Sequence, residues 1–213
     1  MNFYRLIYIG LTLLGLAAAA SAQGSLDDLF NATKLNDVAE VRQLLDRGMD
    51  PNSTDKQGFS LLMVAARDGH IELVRLLLDR KANPNARTPS NETAIMFAAF
   101  NGHTSTVKLL HSRAAQLDKD GWTALHYAAF QGQLETVKVL LEAKAAIDSR
   151  APNGATALML ASRQGHIDVV KVLLGQAADP NIKADGDATA MQWALKGQNT
   201  NIADLLRKAG AKE

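Results

Sequence analysis

Apolar and polar residues follow one another along this chain in blocks of similar design. Residues 154–181 show one such block: a short apolar segment, a glycine, a longer apolar segment and a polar turn. The first segment follows Thr156, whose hydroxyl can cap a helix by accepting a backbone N–H, and Gly165 can end that helix in a left-handed conformation. The second segment carries the wide apolar stripe of a core-facing helix, formed by Ile167, Val170, Val172, Leu173 and Leu174. The block therefore predicts two helices followed by an extended turn.

The same block recurs along most of the chain. The hydroxyl residue that opens it returns after 33, 30, 33 and 33 residues, at Ser60, Thr93, Thr123, Thr156 and Thr189. The positions predicted to break the helix pair are Asn36, Gly69, Gly102, Gly132 and Gly165. A unit of about 33 residues cannot bury its own apolar face, so the units must stack and share one core. The sequence therefore predicts an all-α repeat solenoid with units near residues 25–57, 58–90, 91–120, 121–153, 154–186 and 187–213.

Short motifs within these units resemble the ankyrin repeat. They are the segment Thr123-Ala-Leu-His126, the Gly-His pairs that begin at Gly69, Gly102 and Gly165, and the Asp/Asn-Pro-Asn stems at residues 50–52, 83–85 and 179–181. The resemblance spans about residues 25–212. It implies an ankyrin-repeat stack of five to six helix-turn-helix units with short β-hairpin loops. It also implies a concave surface, lined by the hairpins and first helices, that binds another protein.

Some positions depart from the ankyrin pattern. The residue after the second helix is glycine at positions 48 and 210. In the other units we expect this left-handed position to be held, at a cost in backbone strain, by Lys81, Arg113, Lys144 and Ala177. The loop at residues 116–120 is about three residues shorter than its neighbours, which predicts a stunted hairpin. The first and last units are more polar, as expected of caps that face water.

The first 22 residues have the composition of a cleaved signal peptide. Arg5 is followed by an uncharged, mostly apolar segment, and Ala20-Ser21-Ala22 supplies the small residues that a signal peptidase accepts. We expect cleavage after Ala22 and a mature domain, residues 23–213, in the periplasm or outside the cell. A retained membrane anchor is the alternative, although the 15 residues from Leu6 to Ala20 are short for a bilayer about 30 Å thick.

Composition narrows the classes of protein further. The chain has no cysteine, which excludes disulfides, thiolate metal sites and a cysteine nucleophile. Its formal charge is +1, and residues 23–213 carry 22 basic and 22 acidic residues. This balance lacks the basic surface of a protein that binds nucleic acid. We therefore expect no nucleic-acid partner.

The histidines and hydroxyl residues show no recognisable catalytic or metal-binding pattern. His70, His103 and His166 share one position in the unit, which predicts a structural hydrogen bond repeated along the stack. His126 lies in the ankyrin-like motif, where the resemblance implies a structural role. We interpret the hydroxyl residues at the helix starts as caps rather than nucleophiles. We therefore expect no catalytic residue, no metal site and no cofactor.

Positions that the core does not use are the candidates for binding a partner. They are the residue after the opening glycine and the two residues before the helix break. The candidates are Phe59, Arg67, Asp68, Phe100, Asn101, Trp122, Phe130, Gln131, Arg163 and Gln164. Exposed aromatic rings cost solubility unless a partner covers them, and aromatic and arginine side chains dominate binding energy at interfaces. The alternative is that these rings widen the core, which is the location that the resemblance implies for Phe97, Tyr127 and Trp193.

The sequence favours a non-enzymatic, exported scaffold that binds a partner protein and is itself a monomer. The resemblance extends to periplasmic ankyrin proteins of bacteria, which implies as alternatives an immunity protein or a factor that supports a catalase. A secreted effector that engages host proteins is a further alternative. An enzyme or metal protein that uses the concave surface is less favoured, because no acid–base or ligand cluster is present. The residues do not identify the partner.

Overall fold

The computed structural model describes residues 26–117 and 121–212. These residues form twelve α-helices in six consecutive pairs. The helices are α1 (residues 26–34), α2 (Val38–Asp46), α3 (Leu61–Arg67), α4 (Ile71–Asp79), α5 (Ala94–Phe100), α6 (Thr104–Ser112), α7 (Ala124–Phe130), α8 (Leu134–Glu142), α9 (Ala157–Gln164), α10 (Ile167–Gly175), α11 (Ala190–Lys196) and α12 (Thr200–Lys208). The predicted signal segment lies outside the described residues. The six pairs confirm the predicted all-α repeat solenoid.

The first helices of successive pairs form one layer and the second helices form another. Helices α3, α5, α7, α9 and α11 pack in that order, and helices α2, α4, α6, α8 and α10 do the same. Small side chains make the first layer thin: Ala98, Ala99, Ala128 and Ala129 are fully buried. Units that are too small to fold alone must share a core, and the continuous core between the two layers provides it.

Hydroxyl caps begin three of the first helices as predicted. Ser60, Thr123 and Thr156 each accept a hydrogen bond from the backbone N–H three residues later, at 3.2, 3.3 and 3.4 Å. The capping prediction is wrong at Thr93, because the N–H of Met96 donates to the Thr93 carbonyl (3.1 Å) and not to the hydroxyl.

Left-handed residues end most of the helices. The predicted breaks all have positive φ, from 57° at Asn36 to 83° at Gly165. After the second helices, Lys81, Lys144 and Ala177 have φ near 66°, at 68°, 65° and 66°. The prediction for Arg113 is wrong: its φ is −107°, and Ala114 holds the left-handed position with φ 66°. Arg113 is instead the cap residue of α6, and its guanidinium pairs with Asp79 at 2.8 Å.

From α4 onwards, a polar side chain at the start of each second helix links neighbouring units, as predicted from the histidines. Nε2 of His103 donates to the Arg67 carbonyl and Nε2 of His166 to the Phe130 carbonyl, both at 3.0 Å. His70 lies 3.3 Å from the Lys34 carbonyl in the same way. The same link is made by Gln133 to Phe100 (3.1 Å) and by Asn199 to Arg163 (2.9 Å).

The loops between pairs are short hairpins that project beside the first helices. Four of the five are closed by a backbone hydrogen bond, from Asp55 to Phe59, Thr88 to Glu92, Ala151 to Ala155 and Ala184 to Ala188, all at 2.9 Å. Thr54 and Ser60 also form an antiparallel bridge. Part of the loop predicted to be stunted, residues 118–120, lies outside the described residues.

Candidate protein-binding surface

Two adjoining cavities open on the face formed by α3, α5, α7 and their hairpins. The larger, of about 410 Å³, is lined by Arg67, Asp68, Glu92, Met96, Phe97, Phe100, Asn101 and Tyr127. The smaller, of about 160 Å³, is lined by Phe100, Trp122, Tyr127 and Phe130. Since Phe100 and Tyr127 border both, we treat the two cavities as one site and call it the aromatic groove.

Aromatic side chains in and beside the groove contact one another, two of the three pairs across a unit boundary. The ring centroids of Phe59 and Phe97 are 5.3 Å apart, and those of Phe100 and Tyr127 are 6.0 Å apart in an edge-to-face arrangement. Trp122 lies 5.6 Å from Tyr127. Such pairs hold ring faces in fixed orientations. The groove therefore presents a preformed apolar surface.

The rings differ in how far they belong to the core. Phe59, Phe97, Tyr127 and Trp193 are partly buried and pack against the buried core, as the ankyrin pattern implies for the last three. Phe100, Trp122 and Phe130 are not among the side chains packed against the core in the described part of the chain, and Trp122 is 37% exposed. Phe59 fits the interpretation that these rings widen the core, whereas Phe100 and Phe130 are half-buried and Trp122 is the exposed member of the set.

Two charged clusters lie at the edges of the groove. The guanidinium of Arg67 donates to both carboxylate oxygens of Asp68, at 2.8 and 3.1 Å, and these bonds lower the pKa of Asp68. Glu92 accepts from the hydroxyls of Tyr127 and Thr88, both at 3.2 Å. Burial, followed by the charge of Glu92, raises the pKa of Tyr127 to about 12. Tyr127 therefore stays a neutral donor at physiological pH.

The structure groups the ten candidate residues only in part. Arg67, Asp68, Phe100 and Asn101 line the larger cavity, and Phe100, Trp122 and Phe130 line the smaller. Phe59 lies beside Phe97, and Gln131 is exposed at the end of α7. Arg163 and Gln164 are exposed on α9 and do not line the groove; the guanidinium of Arg163 lies 5.5 Å from the centre of the Trp193 ring.

Four groove residues are absent from the sequence-based candidates: Glu92, Met96, Phe97 and Tyr127. Phe97 was assigned to the core alone, although it lies three residues before Phe100 and therefore on the same helix face. The same spacing relates Tyr127 to Phe130. This spacing is the signal in the sequence that places these two rings in the groove.

The remaining buried histidine has a structural environment. His126 accepts from the Thr123 N–H through Nδ1 (3.1 Å), and its Nε2 lies 3.1 Å from the carbonyls of both Ser149 and Ala155. Burial lowers its pKa to about 4. Within residues 26–117 and 121–212, no three His, Cys, Asp or Glu side chains lie close enough together to hold a metal ion. No helix in those ranges is long and apolar enough to cross a membrane.

The stacked helix pairs, the linked units and a groove on the hairpin side define a repeat protein of the helix-pair solenoid class. Sequence profiles of the ankyrin repeat match residues 44–95, 80–151 and 144–213. The chain belongs to the ankyrin-repeat family, as its motifs predicted. No curated protein matches it.

A solved structure supports the same assignment. It is the complex of a predatory endopeptidase from Bdellovibrio bacteriovorus with an immunity protein. The similar chain is the immunity protein, with a TM-score of 0.75 and 28% sequence identity over 85% of the present chain and 97% of that chain.

Proposed function

We propose that this chain is an exported, non-enzymatic scaffold that binds a partner protein through the aromatic groove. The observation that carries the proposal is the preformed apolar surface of Phe100, Trp122 and Phe130, which together line the smaller cavity with Tyr127. Ankyrin-repeat proteins are typically binding scaffolds without enzymatic activity. Aromatic side chains in a shaped groove are the usual centre of binding energy in such surfaces.

The particular role that we propose is that of an immunity protein, which holds a secreted enzyme of the same cell inactive. Support comes from the solved complex, in which the similar chain is an immunity protein bound to an endopeptidase. The predicted signal peptide supports a partner outside the cytoplasm. The secreted-effector alternative has no such structural neighbour in its favour.

Capture of the partner tests the role of the groove. The double variant Phe100→Ser/Trp122→Ser removes two rings that line the smaller cavity and are not fully buried, so its fold should persist while its binding is lost. The wild-type chain and the variant are used to capture proteins from the envelope fraction of the source organism, followed by mass spectrometry. The matched control is Leu35→Ser, since Leu35 is 80% exposed and distant in sequence from the groove.

We expect the wild-type chain and Leu35→Ser to retain a hydrolytic enzyme whose activity falls when the chain is added. The groove variant should retain none while keeping its helical circular dichroism. Equal capture by all three proteins would remove the groove from the binding surface. Capture of a protein without enzymatic activity would refute the immunity role.

N-terminal sequencing tests the export proposal. Sequencing of the protein recovered from the periplasm should give an N-terminus at Gln23. A chain that begins at Met1 and remains in the cytoplasm would contradict export.

A further inference from the structure

The charges that line the aromatic groove do not balance. Arg67 and Asp68 neutralise each other through two hydrogen bonds. Glu92 is half-buried, and among the described residues its oxygens accept from the hydroxyls of Tyr127 and Thr88. No lysine or arginine in the described part of the chain lies within ion-pair distance of Glu92. The residues that line the groove therefore carry one net negative charge, next to aromatic ring faces.

The chain itself shows what occupies the equivalent place in another unit. Arg163 on α9 lies over Trp193 on α11, with 5.5 Å from the guanidinium carbon to the ring centre. These two residues correspond in the repeat to Phe100 on α5 and Tyr127 on α7. In the groove Phe100 holds the place of the arginine and contacts the Tyr127 ring edge-to-face at 6.0 Å, so Tyr127 receives no guanidinium from that position. The corresponding Arg67 of the preceding unit is held by Asp68.

We propose that the aromatic groove receives an arginine side chain of the partner protein, whose guanidinium stacks on the ring of Tyr127 and donates to Glu92. This inference rests on the proposed function, because it names the group by which the partner is held. A guanidinium is planar, weakly hydrated and able to stack while it donates hydrogen bonds, so it matches a site built of ring faces and a carboxylate. The compact, strongly hydrated ammonium of lysine matches that combination less well.

Capped amino acids serve as probes of this chemistry. The full chain is labelled with ¹³C at the methionine methyl groups, and the signal of Met96, assigned with Met96→Leu, reports on the larger cavity. The probes are the Nα-acetyl amides of arginine, citrulline, norleucine and aspartate. Citrulline has nearly the shape of arginine without its charge, so the ratio of their affinities isolates the charge.

We expect Met96 to shift on titration with the arginine probe, and the citrulline probe to bind about tenfold more weakly, the usual strength of a hydrogen bond to a charged group. Glu92→Gln should abolish this preference, since an amide still bonds the two hydroxyls but carries no charge. The matched control Glu142→Gln removes an equal charge from an exposed position on α8 and should leave the preference intact.

Several results would overturn the inference. They are a stronger response to the norleucine or aspartate probe, an unchanged preference in Glu92→Gln, or no shift of Met96 with any probe. Partner capture separates this failure from that of the proposed function. Capture that is lost in Phe100→Ser/Trp122→Ser but is unchanged in Glu92→Gln would leave the groove as the binding surface without an arginine anchor.

Discussion

The imidazole of His126 has its protonation state fixed by its neighbours. A carbonyl can only accept, so Nε2, 3.1 Å from the carbonyls of Ser149 and Ala155, carries the proton. The backbone N–H of Thr123 donates to Nδ1, which must then be without a proton. A second proton would break that bond and place a charge among buried groups. Burial disfavours the charged ring, and this is the physical reason why the pKa of His126 falls to about 4.

The pH dependence of stability follows from this shift. The unfolded chain binds a proton at His126 near the ordinary pKa of 6.5, whereas the folded chain binds it only near 4. The contribution of the neutral ring to the free energy of unfolding is complete above pH 6.5. It decreases by about 3 kcal/mol as the pH falls towards 4. We predict that His126→Met loses this dependence, because methionine stands at the equivalent positions 63, 96 and 159.

Urea unfolding at pH 7, 5.5 and 4 measures the effect of His126→Met. At pH 7 the variant should be less stable by about 1–3 kcal/mol, since a thioether has no hydrogen to donate to the carbonyls of Ser149 and Ala155. Its deficit should shrink at pH 4. His111→Gln, which removes an exposed imidazole, is the control and should follow the wild type. Parallel curves for the wild type and His126→Met would contradict the prediction.

At the scale of structural elements, the hairpin stems are joined by a ladder of asparagines. Asn52, Asn85 and Asn181 each donate from Nδ2 to the carbonyl 29 residues later, at 3.4, 3.0 and 3.2 Å. Each also accepts, through Oδ1, from an N–H 31 residues later. Asp148 holds this position in the stem between α8 and α9 and accepts from the Asp179 N–H at 3.1 Å. Its ionised carboxylate has no hydrogen to donate to the equivalent acceptor, the carbonyl of Ala177.

We predict that Asp148→Asn stabilises the protein by about 1 kcal/mol at pH 7, because it supplies the missing donor. Burial, and then the charge of Asp179, raises the pKa of Asp148 in the folded state. The folded wild type therefore holds this proton more tightly than the unfolded chain, and stability is lost as the pH rises through the raised pKa. The advantage of the variant should thus be smaller at acidic pH.

Thermal unfolding at neutral and acidic pH checks this prediction. Asp185→Asn, at an exposed position in the next loop, is the control for the loss of one charge. A variant no more stable than the wild type at pH 7 would show that a donor to the Ala177 carbonyl does not add to the stability of the stems.

Features that depend on residue type within one unit were predictable from the sequence. The left-handed break at Gly69 and the link made by His103 are examples, since only a few residue types suit either position. The prediction for Arg113 failed by one residue because composition alone does not fix the end of α6. Glu92 was missed because its importance depends on Tyr127, which lies one unit away in the stack. The groove is formed by contacts between units, and the repeat period in the sequence does not reveal which side chains meet there.

At the scale of the whole molecule, stability depends on how each unit is joined to the next. The ring of His103 occupies the space that a Cβ atom at Gly69 would need, since such an atom would lie 2.6 Å from Cε1 of His103. Its Nε2–H donates to the Arg67 carbonyl across the boundary between the second and third units. Equivalent links at the other boundaries use histidine, glutamine or asparagine. In a stack coupled through nearest neighbours, weakening one link separates the units on either side of it.

We therefore predict that His103→Ala destabilises the protein by about 1–2 kcal/mol and uncouples the first two units from the rest. Hydrogen exchange followed by mass spectrometry should show residues 26–80 opening before residues 121–212, whereas the wild type should open these parts together. The matched control is His103→Gln, because Gln133 makes the same bond at the next boundary with a distance of 3.1 Å. Coupled opening in His103→Ala would mean that apolar packing between α3 and α5 alone transmits stability along the stack. Uncoupling in His103→Gln as well would show that the shape of the imidazole against Gly69, and not its hydrogen bond, joins these two units.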